Sequence, residues 1–210
     1  ALASAADLVR AAKRPLVYLG PGITNETARE AVALADAIGA ALDSVTSETA
    51  MGAILAAQER GRASATLGEG RHRADVVVWW GVDPARRYPR YAERYLPASR
   101  SVIAVDLGER LAPPDADRRF LLPAEDEVAT LAALRALVAA PAGDAAPHDR
   151  DPVTAAIWAR ARVLPPPPPA APYVLVVADA EPPPAVLSPP VDHMRMSALI
   201  SFVQALNGPT

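Results

Sequence analysis

Arginine and tyrosine alternate in one short segment of this 210-residue chain, directly after a sharp turn. The turn reads G-V-D-P at residues 81–84, and the segment runs on to residue 95. Arginine and tyrosine are enriched at interface cores, and their alternation also suits a polyanion. Because the net charge is −3, a protein interface or a structural ion-pair network is the favoured use. The candidate interface or carrier contacts are Arg86, Arg87, Tyr88, Arg90, Tyr91 and Arg94.

Three other stretches have residue types that bind small molecules in doubly wound folds. A G-P-G turn at residues 20–22 follows a predicted strand, where such folds hold phosphate; the proline and the missing third glycine favour a ligand-free turn instead. Asp106, at a strand end, would either bind a ribose hydroxyl or cap a turn. The polar run at residues 68–73 would be a solvated loop or, less favoured, an anion site.

The residue types of catalysis and metal binding are sparse in this chain. His72, His148 and His193 lie far apart, without H-x-H or H-x-x-x-H spacing. No cysteine is present, which excludes thiolate ligands and cysteine-held iron–sulfur clusters in these residues. A G-x-S-x-G elbow is absent, and no two carboxylates form a recognisable acid–base pair. We therefore predict no catalytic, cofactor-binding or metal-binding residue.

Strands and helices alternate along the sequence, which predicts an α/β fold with a parallel sheet. The adjacent residues Trp79 and Trp80, on the strongest strand, must face opposite sides of that sheet. We predict a Rossmann-like α/β domain over residues 1–140. Residues 141–210 form a proline-rich part read as helix, strand and helix, packing on the same unit or on a second small one. The predicted strands are 16–19, 41–45, 75–80, 101–106, 119–122 and 173–178.

Composition also bears on partners and compartment. The near-neutral charge gives no indication of nucleic acid, and no run of about twenty apolar residues predicts a membrane span. The first ten residues follow an amphipathic helical pattern without a basic signal-peptide region. These features predict a cytoplasmic protein that binds neither membrane nor nucleic acid.

Residues 74–95 read A-D-V-V-V-W-W-G-V-D-P-A-R-R-Y-P-R-Y-A-E-R-Y, which resembles the molybdopterin-binding B subunit of formylmethanofuran dehydrogenase. Segments similar to that family also occur, in the family's order, at residues 11–20, 31–45, 66–69, 105–106 and 193–207. The resemblance implies a Rossmann-like, mostly parallel sheet flanked by helices, a truncated version of the molybdopterin-oxidoreductase domain fold.

The resemblance also implies a lost metal site. Where the family has its cysteine or selenocysteine ligand followed by a histidine, this chain has Ala50 and Met51. Alanine has no donor atom and a methionine thioether is a weak ligand, so a molybdenum or tungsten centre is not expected to be held as in the family. The family's N-terminal iron–sulfur segment, and its pterin-binding sequence beyond residue 210, are likewise expected to be missing.

A degenerate B subunit of this kind resembles the beta subunit of the formyltransferase/hydrolase complex of methylotrophic bacteria, which acts in formaldehyde oxidation. The resemblance implies a non-catalytic scaffold subunit of a hetero-oligomer that converts formyl-tetrahydromethanopterin to formate. Zinc and a methanofuran-like carrier would then belong to other subunits, with Arg86 or Arg90 guiding the carrier's polyglutamyl chain. Two alternatives stay open: a free-standing nucleotide- or pterin-binding enzyme domain using residues 20–22 and Asp106, and a remnant that binds metal-free pterin structurally.

Overall fold

The computed structural model describes residues 2–20, 22–45, 47–111, 116–139, 156, 173–180 and 193–207. The chain divides into two compact units, Ala1–Met51 and Gly52–Thr210. The predicted α/β class is confirmed. The helices and strands are α1 (Leu2–Ala11), β1 (Leu16–Leu19), α2 (Asn25–Ile38), β2 (Ala41–Ser44), α3 (Ser47–Arg60), α4 (Leu67–Arg73), β3 (Val76–Trp80), α5 (Pro84–Arg87), α6 (Tyr91–Tyr95), β4 (Ser101–Leu107), β5 (Arg118–Leu122), a 3-10 turn (Ala124–Asp126), α7 (Glu127–Ala139), β6 (Val174–Ala178) and α8 (His193–Leu206).

The first unit pairs β1 with β2 in parallel and joins them through α2. Thr24 caps α2 by accepting a hydrogen bond from the backbone N–H of Thr27 at 3.2 Å, and Gly39 ends the helix with φ 63°. Strand β1 forms where the apolar run predicts it. Leu16 and Tyr18 alternate onto one face of this strand and are each more than half exposed.

The second unit contains a four-stranded parallel sheet in the order β5-β4-β3-β6. Strand β3 lies between β4 and β6, with Val77 opposite both Val102 and Leu175. All five residues of β3 are buried, as expected for an inner strand of a parallel sheet covered on both faces. The described part of the chain contains no helix that is long and apolar enough to span a bilayer.

The two faces of this sheet are covered by different helices, and the tryptophan prediction is confirmed. Trp80 lies on the face that α7 and α8 cover, where Leu131 and Phe202 join its apolar cluster. Trp79 lies on the opposite face, in a cluster with Val82 that Tyr91 of α6 packs against. Both indole side chains are 1% exposed. We name these the Trp80 face and the Trp79 face.

Strand β6 and helix α8 come from the proline-rich part of the sequence. In the second unit, β6 extends the sheet beside β3, and α8 packs against α7. The division at residue 140 remains a prediction. The helix predicted over residues 151–162 lies, apart from residue 156, outside the described residues.

Candidate functional site

The six candidate contact residues lie on the two short helices that follow β3 and in the junction between these helices. Asp83 caps α5, because its Oδ1 accepts hydrogen bonds from the backbone N–H groups of Ala85 at 3.0 Å and Arg86 at 3.2 Å. Pro84 occupies the first turn of the helix, where its missing N–H would have no intrahelical partner. The G-V-D-P turn therefore starts the helix directly. The six residues, together named the Arg/Tyr surface, are Arg86, Arg87, Tyr88, Arg90, Tyr91 and Arg94.

Arg90 separates α5 from α6 through left-handed backbone, with φ 66° and ψ 7°. Its guanidinium donates two hydrogen bonds to the Glu93 carboxylate, Nη2 to Oε1 at 2.9 Å and Nε to Oε2 at 3.1 Å. These hydrogen bonds hold the pKa of Glu93 below its usual value. Both side chains are exposed, so this pair orders the junction between the helices more than it stabilises the fold.

The tyrosines of the segment pack towards the sheet. The Tyr91 ring lies edge-on to Trp79 at 5.9 Å and to Tyr95 at 5.6 Å between ring centroids. Tyr88 lies 6.0 Å from Tyr91. Burial raises the pKa of the Tyr88 hydroxyl, with the neighbouring Asp179 carboxylate as a further cause, and burial also raises the pKa of Tyr91. Tyr88 and Tyr91 thus anchor the helices, and the arginines form the exposed part of the surface.

The arginines divide into those paired with carboxylates and those that are not. Arg87 donates from Nε to Asp179 Oδ2 at 2.6 Å, which ties α5 to the residue after β6. Arg86 is exposed and forms no ion pair with any described residue. The backbone carbonyl of Arg94 accepts a hydrogen bond from Nη1 of Arg71, which attaches α4 to α6. The predicted set is therefore brought together on one surface, but with unequal roles.

A cavity of about 270 Å³ opens beside the Arg/Tyr surface. Trp79 and Val102 of the sheet line it, together with Ala85 of α5. Arg90 and Arg100 also line it, so cationic groups border an apolar floor. Such a combination is suited to a side chain or ligand group with an apolar body and an anionic end.

A buried polar network lies on the Trp80 face, near the carboxyl ends of β3 and β6. The Trp80 indole Nε1 donates to Glu127 Oε1 at 2.8 Å, and Arg195 Nε donates to Glu127 Oε2 at 2.6 Å. Arg195 Nη1 also donates to the backbone carbonyl of Asp179 at 2.7 Å. Sequence reasoning missed this network. The available signal was the buried indole N–H, which requires an acceptor.

Gly81, directly after β3, is closely surrounded at the same end of the sheet. Its φ is 61°, and an added Cβ would lie 2.6 Å from Leu107 Cδ1 and 3.5 Å from Arg195 Nη2. Leu107 is completely buried. In open α/β sheets this edge is the usual place for a ligand crevice. Here the edge is packed with leucine, tryptophan and an ion pair of the chain itself.

Asp106 is buried and paired with an arginine of the neighbouring strand. The carboxylate is 1% exposed and accepts a hydrogen bond from Arg119 Nη1 at 2.8 Å. Arg119 lies opposite Ala104 in the register, two residues before Asp106 and therefore on the same face of β4. A buried carboxylate needs a partner, and β5 supplies it here. The burial and the Arg119 pair do not favour ribose binding by Asp106, and turn capping by this residue stays a prediction.

The polar run at residues 68–73 forms most of helix α4, so the expected loop is wrong. Thr66 Oγ1 accepts from the backbone N–H of Glu69 at 3.2 Å, and Glu69 Oε2 accepts from the backbone N–H of Thr66 at 2.8 Å. This capping box occupies N–H groups that an anion would need.

In the turn at residues 20–22, Gly22 has φ 79°, and an added Cβ would meet nothing within 4 Å.

The remaining candidate positions are residues 50 and 51 and the three histidines. Residues 50 and 51 lie in α3, and the Met51 side chain is 52% exposed. Residues 50 and 51, which align with the ligand position of the family that the sequence resembles, do not fit a molybdenum or tungsten centre. Alanine offers no donor atom, and a half-exposed thioether is a weak donor. His193 Nε2 lies 3.3 Å from Glu59 Oε1, His72 is exposed, and His148 is outside the described residues. Within the described ranges, no three metal-ligating side chains converge.

Two curated proteins are similar to this chain in sequence. The chain is 35% identical over 95 residues to the B subunit of tungsten-containing formylmethanofuran dehydrogenase 2 from Methanocaldococcus jannaschii, which covers 45% of this chain and 22% of that protein. It is 37% identical over 90 residues to the protein of the same name from Methanococcus maripaludis, covering 43% and 21%. The chain thus spans about a fifth of the length of these relatives. No family model matches it.

One solved structure has a similar fold across the whole chain. It is a chain of the formyltransferase/hydrolase complex from Methylorubrum extorquens, determined in complex with methylofuran. The TM-score is 0.68 at 23% identity, and the match covers 100% of this chain and 54% of that one. This agreement confirms the predicted Rossmann-like class of fold. Together with the sequence similarity, it relates the chain to a part of the B subunit of formylmethanofuran dehydrogenase.

Proposed function

We propose that this chain is a non-catalytic structural subunit, or part of one, in a formyltransferase/hydrolase complex of one-carbon metabolism. The observation that carries the proposal is the packed carboxyl edge of the second unit's sheet. There Leu107 is wholly buried beside Gly81. Glu127 accepts hydrogen bonds from both the indole N–H of Trp80 and the guanidinium group of Arg195. These buried contacts among the chain's own side chains, at the end of the sheet where a ligand crevice usually lies, support a structural role.

The residues at the family's ligand position support the same proposal. A site with Ala50 and Met51 in place of the ligand pair lacks the donors for the metal centre, and the chain contains no cysteine. We therefore assign no catalytic, cofactor or metal role to these residues. Formyl transfer and hydrolysis, with the zinc that the resemblance implies, would be located on other subunits.

The Arg/Tyr surface is the proposed contact with those subunits. Tyr91 packs edge-on against Trp79, Asp83 caps α5, and Arg87 ties that helix to Asp179 after β6. Fixed aromatic anchors with exposed arginines are typical of interface hot spots. The same arginines, Arg86 and Arg90 in particular, remain candidates for guiding the polyglutamyl chain of a methanofuran-like carrier.

The test compares the isolated chain with the assembly purified through it from its native source. The substrate is formyl-tetrahydromethanopterin with a methanofuran-like carrier, and formate release is measured. We expect the assembly to release formate and the isolated, folded chain to release none. Formate release by the isolated chain, or an assembly without formyl-handling subunits, would contradict the proposal.

A further inference from the structure

The cavity beside the Arg/Tyr surface has a size and lining that define what it can receive. We propose that it takes one side chain from an acidic segment of a partner protein in the assembly, whose carboxylates pair with the surrounding arginines. This inference rests on the proposed function, because it names the chemistry of the partner at the same surface. It assigns the contact to a protein segment rather than to a small molecule.

The volume favours a single side chain. The cavity measures about 270 Å³, below the roughly 300–1,000 Å³ of sites that enclose drug-sized ligands or cofactors. Its floor is apolar, since Trp79 and Val102 come from the inner strands of the sheet. One large residue would fill this space and would bury its apolar body against the indole.

The charges around the cavity favour carboxylates. Arg90 is already paired with Glu93, and Arg87 with Asp179. By contrast, neither Arg86 nor Arg100 forms an ion pair with any residue that the structure describes. Arg86 directly follows the cavity residue Ala85, and Arg100 lines the cavity itself. Arg100 at the cavity and Arg86 beside it in sequence are thus two guanidinium groups not paired with a described carboxylate, and a partner carboxylate would complement them.

The hydrogen bonds of Arg100 lead to the same conclusion. Its Nη1 donates to the backbone carbonyl of Pro97 at 2.6 Å, which holds the side chain in place. Its Nε is buried and has no acceptor within the described structure. A buried donor without an acceptor is destabilising, because it has lost its hydrogen bond to water. A carboxylate brought by a partner, with a small shift of this side chain, would supply the missing acceptor.

The carboxylates present on the same surface argue against a nucleic acid as the occupant. Glu93 lines the cavity, and Asp179 lies beside Arg87 and Tyr88. Nonspecific nucleic-acid binding needs a continuous track of cations, which these two negative groups interrupt, whereas a single carboxylate needs only one guanidinium group. Alternating charges around an apolar centre are instead typical of a protein–protein interface with a polar rim.

The experiment uses the full-length protein, tagged in its native source and isolated with its partners after nuclease treatment. Four forms are compared: wild type, Arg86→Glu, Ala85→Trp and the control Arg135→Glu. Arg135 is an exposed arginine on α7, away from this surface in the fold. Ala85 is exposed where it lines the cavity, so a tryptophan there blocks the cavity without entering the core. Circular dichroism verifies that each form is folded.

We expect Arg86→Glu and Ala85→Trp to reduce partner recovery about tenfold or more, as hot-spot changes do, while Arg135→Glu matches wild type. A photo-crosslinking residue in place of Ala85 should then attach to a partner peptide rich in aspartate and glutamate. Full partner recovery by both folded variants, cross-linking to a non-acidic segment, or loss of the partner after nuclease treatment would overturn the inference. If the assembly releases formate and both variants still recover the partners, this inference fails and the proposed function stands. If the variants lose their partners but the assembly releases no formate, the proposed function fails and this inference stands.

Discussion

The two faces of β3 differ in how their tryptophans are used. On the Trp80 face, the indole N–H, a glutamate and an arginine form a buried network of the chain's own residues, in which Arg195 Nη2 has no acceptor among the described residues. On the Trp79 face, the indole supports a row of tyrosines beneath exposed arginines and a cavity. Adjacent residues of one strand therefore take part in a buried interior on one side and an accessible surface on the other. Changes to the Trp80 face should affect folding, and changes to the Trp79 surface should affect assembly.

The largest effect is expected from Arg195→Met. The substitution leaves the Glu127 carboxylate buried without its cation, and the side chains of this pair are 9% and 5% exposed. Removing one partner of a buried ion pair costs about 3–5 kcal/mol. Urea unfolding followed by circular dichroism should show this loss in the free energy of unfolding.

A double variant provides the control for this prediction. Arg195→Met combined with Glu127→Leu removes both charges, and it should recover part of the stability that the single change loses, although the Trp80 N–H then lacks its acceptor. A loss of less than about 1 kcal/mol in the single variant would mean that the network is not buried as described.

The next largest effect is expected from Gly81→Ala. The new Cβ would lie 2.6 Å from Leu107 Cδ1, at a backbone φ of 61° that alanine adopts poorly. Overpacking of this kind costs about 1–3 kcal/mol of unfolding free energy. The matched control is Gly68→Ala in α4, where the Cβ would find only Thr66 Oγ1 at 3.9 Å, and which should be neutral or slightly stabilising. Equal stability of the two variants would contradict the packed edge.

A smaller effect is expected from Thr66→Ala, which removes the cap of α4. The loss of an N-cap hydroxyl costs about 1 kcal/mol. Helix α4 supports the Trp79 face, since Arg71 donates to the Arg94 carbonyl and Gly70 lies against Tyr95. We therefore expect faster amide hydrogen exchange in α4 and α6, with exchange in α7 and α8 unchanged. Uniform acceleration across all four helices would show that the faces are not separable in this way.

The smallest effect is expected in how the stability of the fold changes at acidic pH. Hydrogen bonds from Thr66 lower the pKa of Glu69, and hydrogen bonds from Arg90 lower the pKa of Glu93. A lowered folded-state pKa means that the stabilisation is present above the ordinary glutamate pKa of about 4.3 and is lost as pH falls through the folded value. Glu69→Gln and Glu93→Gln should therefore each flatten the decline in stability between about pH 5 and pH 3, a range set by that ordinary value of about 4.3. An unchanged profile in both variants would contradict these contacts.

The sequence predicts the secondary structure and the orientation of the strands better than the polar contacts between them. Alternation placed Trp79 and Trp80 on opposite faces, and cap residues marked the ends of α2, because both signals are local. The partners of Asp106 and Trp80 come from elements 13 and 47 residues away, so local patterns could not supply them. Helix α4 was missed because charged residues and glycines suggested a loop, whereas the capping box at Thr66 decided the conformation.

The most direct test of the central claim is the cofactor content of this protein in its native assembly. The protein is separated from the purified complex, and molybdenum, tungsten and extracted pterin are quantified against its amount. The packed edge beside Gly81 and Trp80 predicts that none of the three is present in stoichiometric amount. A pterin with molybdenum or tungsten at one equivalent per chain would contradict the claim that this edge is structural.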